Sequence, residues 1–256
     1  MKSQLKLLSA ILILSTLLYT ACKKTSSAPT DPQLTPTQVA GQVATTISQS
    51  LTGDLGVVDV SEGLNGASTF ALHTKGKTIY DIGNPQCGQI VDTTVTFNFT
   101  SGDTSLTETG AIKFSFGCTG GVLSSYTTDD SVNLGFALGS TKLTYSVSED
   151  FTLTALTPTS QTSNLSITGT LGSNGKYSSS QGSGTMVFNY TLTSIVFTGD
   201  GSGTILSGSA TFNTSGTGPR GAWNYAGTIT LNGSGSAVVT INGKTYTVNL
   251  LTGATS

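Results

Sequence analysis

A period of two constrains this chain more than any other feature. Over most of its length apolar residues occupy alternate positions, a spacing that puts them on one face of an extended strand. Thr94 to Phe99 reads TVTFNF, and Val95, Phe97 and Phe99 share a face. Ala111 to Phe116 reads AIKFSF and does the same with Ile112, Phe114 and Phe116. Leu143, Tyr145 and Val147 follow, then Phe151, Leu153 and Ala155, then Leu165, Ile167 and Gly169. Ser148-Glu149-Asp150 interrupts this series and reads as a turn or bulge. Met186, Phe188, Tyr190 and Leu192 make the longest run; its phase slips at Thr193-Ser194 before Ile195 and Phe197, which predicts a bulge or corner. Ala210 and Phe212, then Trp223 and Tyr225, complete the pattern.

Turn chemistry agrees. SAVVTI, Asn242-Gly243 and KTYTVNL form a two-residue hairpin in which Val239 faces Tyr246 and Ala237 faces Val248. Asn174-Gly175, Asp200-Gly201 and Asn232-Gly233 mark further tight turns. No repeat of fixed period is present, which disfavours a solenoid. The prediction is an all-β fold: an antiparallel meander forming a sandwich or a barrel. Thr157 to Ser163, TPTSQTS, is either a long loop or a division within a β domain spanning 35–256.

One segment departs from this period. Thr35-Pro36-Thr37-Gln38 matches a capping box with proline at the first helical position. Val39, Val43, Ile47 and Leu51 then recur every four residues, and Gly53 can end the run. This predicts one N-terminal amphipathic helix over about 36–52. Its stripe has no Lys, Arg or aromatic flank, so packing on a sheet fits it better than lying on a membrane. The preceding residues 22–34, rich in Ser, Thr and Pro, read as a flexible linker.

The first residues, MKSQLKLLSA ILILSTLLYT AC, carry a different kind of information. Lys2 and Lys6 form a positive n-region, Leu7 to Leu18 an apolar stretch, and Thr20-Ala21 a small-residue site before Cys22. A secretory signal over 1–21 fits this better than a spanning helix. Lipoprotein signals usually have a small or branched residue, then Gly or Ala, then Cys. The segment resembles a bacterial lipoprotein signal, and the looser form followed by Lys23-Lys24 is similar to lipoproteins of the Bacteroidota. The resemblance covers residues 1–24. It implies a lipid on Cys22, a membrane partner through that lipid, and residence at the outer membrane. The basic residues after the cysteine, where surface-export signals are acidic, imply a periplasm-facing protein. Asp92-Thr93-Thr94 and Asp130-Ser131-Val132 match the acceptor pattern of O-glycosylation in such lipoproteins, which implies a sugar on Thr93 or Ser131.

Composition narrows the function. Charged residues are 9% of the chain, against about 25% in an average domain. Ser and Thr together are 80 of 256 residues, so hydroxyls rather than ions wet the surface. Net charge is −2, or about −4 without Lys2 and Lys6, and no basic patch exists for nucleic acid. Cys87 and Cys118 are an even pair in an exported chain, which reads as a disulfide.

Catalytic signatures are weak. The single histidine, His73, lies in the strand-like STFALHT without a G-x-S-x-G elbow. It cannot supply a zinc site. The adjacent acids Glu149-Asp150 and Asp129-Asp130 point to opposite faces of a strand and make no dyad by themselves. Glu108 and Glu149 are the pair a glycosidase would use, on the expectation that they sit in loops. Calcium around Asp129, Asp130 and Asp200-Gly201 lacks any EF-hand pattern. Arg220, Trp223 and Tyr225 cluster in GPRGAWNYAG. The two aromatics share a face, as a sugar platform or as core. The chain therefore reads as a monomeric, lipid-anchored envelope protein, not an enzyme, without cofactor or metal. Its role is binding of a glycan or envelope protein, or structural. The alternatives are a carrier of an apolar ligand in a β cavity and, behind it, a glycan-acting hydrolase.

Overall fold

The computed structural model describes residues 34–52, 63–64, 71–74, 77–81, 85–160, 163–200, 202–219 and 221–256, with the backbone alone for 71–74 and 77–81. The signal, Cys22, Gly53 and Arg220 lie outside the described residues.

Helix α1 runs Pro36–Leu51. The capping box forms: the Gln38 amide donates to the Thr35 hydroxyl at 3.3 Å, and the Thr35 amide donates to Gln38 Oε1 at 2.9 Å. Two orphan donors are thereby satisfied. Thr52 is the C-cap, its N–H bonding back to the Ser48 carbonyl at 3.0 Å. Val39, Val43, Ile47 and Leu51 are buried as the stripe predicts. So are Ala40, Gly41, Gln42, Ala44, Thr46 and Ser50. A helix buried on so many sides is enclosed by the fold rather than laid upon it.

Strands β1 (Ala71–Thr74) and β2 (Lys77–Asp81) form a small hairpin. Ten further strands follow: β3 (Ile90–Ser101), β4 (Thr104–Thr119), β5 (Val122–Leu138), β6 (Thr141–Ala155), β7 (Leu165–Ser179), β8 (Gly182–Phe197), β9 (Ile205–Gly218), β10 (Gly221–Leu231), β11 (Ser236–Ile241) and β12 (Lys244–Asn249). They form one antiparallel sheet in strict sequence order. The all-β meander with one N-terminal helix is thus the fold. It is not a closed barrel: β3 and β12 are the two ends of the sheet, and no described pairing joins them. The inner faces of the sheet and α1 enclose one hydrophobic core, in the manner of a sandwich. The segment 157–163 is the β6–β7 connection, and both flanking strands belong to this sheet.

The predicted register of the last hairpin holds, with Val239 opposite Tyr246 and Ala237 opposite Val248. Asn242 and Gly243 both have positive φ, 52° and 77°, as the two-residue turn requires. The slip at Thr193-Ser194 is a bulge with Ser194 at φ 47°. Two turn predictions fail. Asn174-Gly175 lies inside β7, paired with Ser146 and Tyr145 of β6 on one side and with Val187 and Met186 of β8 on the other. Ser148-Glu149-Asp150 is continuous strand, paired without a shift on both sides. Glu149 keeps the phase of Tyr145, Val147 and Phe151, so the apparent break is an inward acid rather than a turn.

The outer face carries the hydroxyls. Thr170, Thr191, Thr211, Thr228, Thr240 and Thr245 stand side by side across six strands, β7 to β12. At the far end of β4, Cys118 bonds to Cys87 with Cα atoms 5.4 Å apart, pinning the loop before β3.

Candidate functional site

The inner face changes character along the strands. α1 packs on β10, β11 and β12, and the Tyr190 hydroxyl of β8 donates to the Val43 carbonyl at 3.1 Å. Tyr225 of β10 likewise donates to the Leu34 carbonyl at 3.0 Å. The other half, β3 to β6, is read best in cross-strand rows. At the end bearing the β3–β4 and β5–β6 hairpins, Phe99, Leu106, Phe136 and Leu143 stand in one row. Phe99 is 48% exposed, the other three are half-buried, and Leu138 beyond them is 53% exposed. This is an apolar lip on the face that elsewhere is buried core. Contiguous exposed apolar surface marks an interaction site more often than single exposed residues do.

One row inward are Phe97, Glu108, Leu134 and Tyr145. Glu108 and Tyr145 are buried, and Phe97 and Leu134 are half-buried. This row continues through Gly175, Met186 and Gly216 to Trp223. A Cβ at Gly216 would strike the Trp223 ring, so the glycine is what lets the indole lie flat on the sheet. The next row is Val95, Gly110, Val132 and Val147, and behind it come Thr93, Ile112, Asp130 and Glu149.

Asp130 and Glu149 sit directly opposite each other on β5 and β6. They are 3% and 1% exposed. Two inward carboxyl groups on adjacent strands form the dyad that neighbours on one strand cannot. The Thr128 hydroxyl donates to Asp130 Oδ2 at 3.0 Å, and Glu149 also hydrogen-bonds Asp130. The other carboxylate oxygen, Oδ1, is buried without a hydrogen-bond partner. Burial pushes the Asp130 carboxyl up to about 7, against the lowering effect of these hydrogen bonds. The Tyr145 hydroxyl is also pushed up, to about 12, by burial and by the charge of Glu149. Ser173 of β7 lies near enough to ease its ionisation but outside hydrogen-bond geometry, and the hydroxyl is unpartnered. Trp223 Nε1 and Thr214 Oγ1 are likewise buried without partners. Buried polar groups are seldom left so, and several on one inner face suit a polar guest. No Lys or Arg occupies the inner face of β3 to β9 among the described residues.

The other predicted site residues scatter. Trp223 is buried and Tyr225 half-buried on the inner face, so they form no exposed sugar platform. His73 falls in β1, whose side chains are outside the description. Glu108 and Glu149 lie in strands, not loops, two strands and four residues out of register, roughly 16 Å apart along the sheet. They do not face each other across a cleft. Asp129 points outward, opposite to Asp130, and Asp200 is in the β8–β9 loop, held down to about 2 by hydrogen bonds from Ser202. No described group of three or more His, Cys, Asp or Glu residues is placed to hold a metal. Thr93 is half-buried on the inner face and Ser131 exposed on the outer one. Tyr145 was missed as a site residue, and Asp130 was weighed only with its outward neighbour Asp129 and not with Glu149 across the strands. The signal was present: an acid in phase with buried apolar neighbours is an inward acid.

No protein-family model, no curated protein and no solved structure matches this chain.

Proposed function

We propose that this is a lipid-anchored, periplasm-facing envelope protein that binds an apolar ligand on the inner face of its sheet and does no chemistry on it. The observation that carries the reading is the lip of Phe99, Leu106, Phe136 and Leu143, left half-exposed on a face that is otherwise core. A mostly apolar concave surface with a few convergent polar groups is the usual form of a small-molecule site. The single-sheet topology supports it, because α1 covers β10 to β12 and the lip lies on β3 to β6. The non-catalytic reading rests on the acids: Asp130 and Glu149 hydrogen-bond each other, closer than the 5–9.5 Å that glycoside hydrolysis uses. Anchoring through Cys22 rests on its position after a small-residue cleavage site.

The protein carries one tryptophan, Trp223, in the same inner row as Glu108 and Tyr145. An apolar naphthylamine probe should therefore bind and accept energy from Trp223. Phe136→Ser should weaken that binding about tenfold, as expected for a lost aromatic contact worth ~1.4 kcal/mol. Equal binding by both proteins, or none by either, would remove the carrier role. Cys22→Ser should move the protein from the membrane to the soluble fraction. If it stays with the membrane, lipid on that cysteine is not the anchor.

A further inference from the structure

We infer that the hairpin end of the sheet that bears the lip docks on the membrane surface, with Phe99, Phe136 and Leu138 meeting the lipid and Lys142 and Lys176 facing anionic head groups. This rests on the reading of the lip as an apolar site and of Cys22 as the anchor. It adds which end of the protein meets the bilayer and which lipid it prefers.

Three observations carry it. First, the tether enters the fold at this end. Leu34 is buried, and the Tyr225 hydroxyl donates to its carbonyl at 3.0 Å. Tyr225 stands in the row of Val95, Gly110, Val132 and Val147, two rows in from the lip, about 13 Å of strand. Thr35, Thr37 and Gln38, which open α1, are exposed, while Val39 to Ala44 are buried. From Cys22 to Leu34 the chain reaches at most about 40 Å fully extended. A flexible chain of that length spans about 20 Å on average. Turning the opposite end of the sheet to the bilayer would hold Leu34 about 33 Å off it, the span of β5 from Val132 to Val122. That is close to full stretch. Second, the apolar residues lie at the edge itself. Phe99 is 48% and Leu138 53% exposed, with Leu106, Phe136 and Leu143 half-buried beside them. They sit at or next to the β3–β4 and β5–β6 turns, so they meet head groups without any movement of the strands that hold them. Apolar burial of this kind holds a protein at a bilayer interface, and charge adds to it. Third, the charge is on the same edge. Lys142 of β6 and Lys176 of β7 are exposed on the outer face, and Lys142 pairs with Ser178, two residues from Lys176. Against them stands Asp103 in the β3–β4 turn. At the opposite end of the strands the described loops carry Asp200 and no Lys or Arg.

An anchor alone fixes no orientation, since any face within reach of the tether could touch the bilayer. The lip supplies the preferred face, and the two lysines supply the preference for anionic lipid. That attraction fades beyond about 8 Å at physiological salt, so only charges at this edge feel it. Lys113, in the row of Asp129, is about 23 Å of strand back from Phe136 and lies outside that range.

The test keeps the tether. Cys22 is the one free thiol of the chain once Cys87 and Cys118 are bonded. The mature chain is coupled through it to a maleimide lipid in vesicles of phosphatidylcholine, with or without phosphatidylglycerol, and amide hydrogen exchange compares coupled with uncoupled protein. The turns at 101–104 and 138–141 should exchange about threefold more slowly when coupled, as for a surface occupied about two-thirds of the time, and more slowly still with phosphatidylglycerol. The turn at 119–122 and the segment 250–253, at the opposite end, should not change. Leu138→Asp should abolish the slowing in both vesicles. Lys142→Glu with Lys176→Glu should abolish only the increment due to phosphatidylglycerol, and Lys113→Glu should abolish nothing. No slowing at either end, or slowing at 119–122, overturns the docking. An increment lost equally in Lys113→Glu overturns the head-group contact, because the attraction would then be general charge. Naphthylamine binding by the same protein separates this inference from the reading beneath it. Probe bound without slowing overturns the docking and leaves the apolar site standing, whereas neither probe binding nor slowing removes both.

Discussion

Removing the charge of Asp130 should stabilise the protein at neutral and alkaline pH. The carboxyl has an ordinary value of 3.8 and is raised to about 7 in the fold, chiefly by burial. A raised acid binds more protons folded than unfolded, so folding stability falls as pH rises between the two values. Below about 3.8 both states are protonated and the cost is absent. Above about 7 both are ionised and the cost is constant. The gap, at 1.36 kcal/mol per pH unit, is worth about 4 kcal/mol, an upper figure because Glu149 shares the proton. Asp130→Asn keeps the shape and the hydrogen bond from Thr128 and loses the ionisation. Urea unfolding of both proteins from pH 4 to pH 9 checks this. The difference in stability should be near zero at pH 4, grow in favour of the Asp130→Asn variant up to pH 7, and then level off at about 2–4 kcal/mol. A pH-independent difference, or an Asp130→Asn variant less stable than the parent at pH 8, would refute the placement of a buried acid whose hydrogen bonds do not offset its burial.

Two further outcomes follow from packing and covalent structure. Gly41→Ala should destabilise the protein, although alanine favours helix by about 1 kcal/mol, because the new Cβ would lie 2.5 Å from the Gly253 carbonyl oxygen. A rise in melting temperature would show that the C-terminal segment does not press on α1. Replacing both Cys87 and Cys118 with serine should cost about 3–4 kcal/mol, the loop entropy released when a closure over 31 residues is opened. A change below about 1 kcal/mol would mean that the reduced chain keeps this loop closed by other contacts.

Most of the fold was legible because sheet and helix have different periods. The alternation from Val95 to Val248 located the strands, and the four-residue spacing of α1 stood apart from it. The hairpin at Asn242-Gly243 came out in the correct register because two-residue turns permit few pairings. Errors fell where a polar residue stood in an apolar phase. Glu149 reads as a break because hydropathy treats an acid as a surface residue, whereas the pleat puts it inward with Tyr145 and Phe151. Asn174-Gly175 carries a hairpin turn signal, but here both residues are paired within β7 to neighbouring strands on both sides, and that long-range pairing overrides the local preference. The pairing of Asp130 with Glu149 was not readable, since it depends on a register across two strands nineteen residues apart in sequence. The choice between barrel and open sheet was not readable either, because closure depends on whether β3 meets β12 and no local pattern encodes that.

The most direct measurement maps ligand contacts residue by residue. With ¹⁵N-labelled protein carrying Cys22→Ser, dodecanol should shift the amide resonances of Leu106, Leu134, Phe136 and Leu143. The outward threonines from Thr170 to Thr245 should not move. Shifts confined to the outer face, or spread evenly over the sheet, would contradict an inner-face binding site.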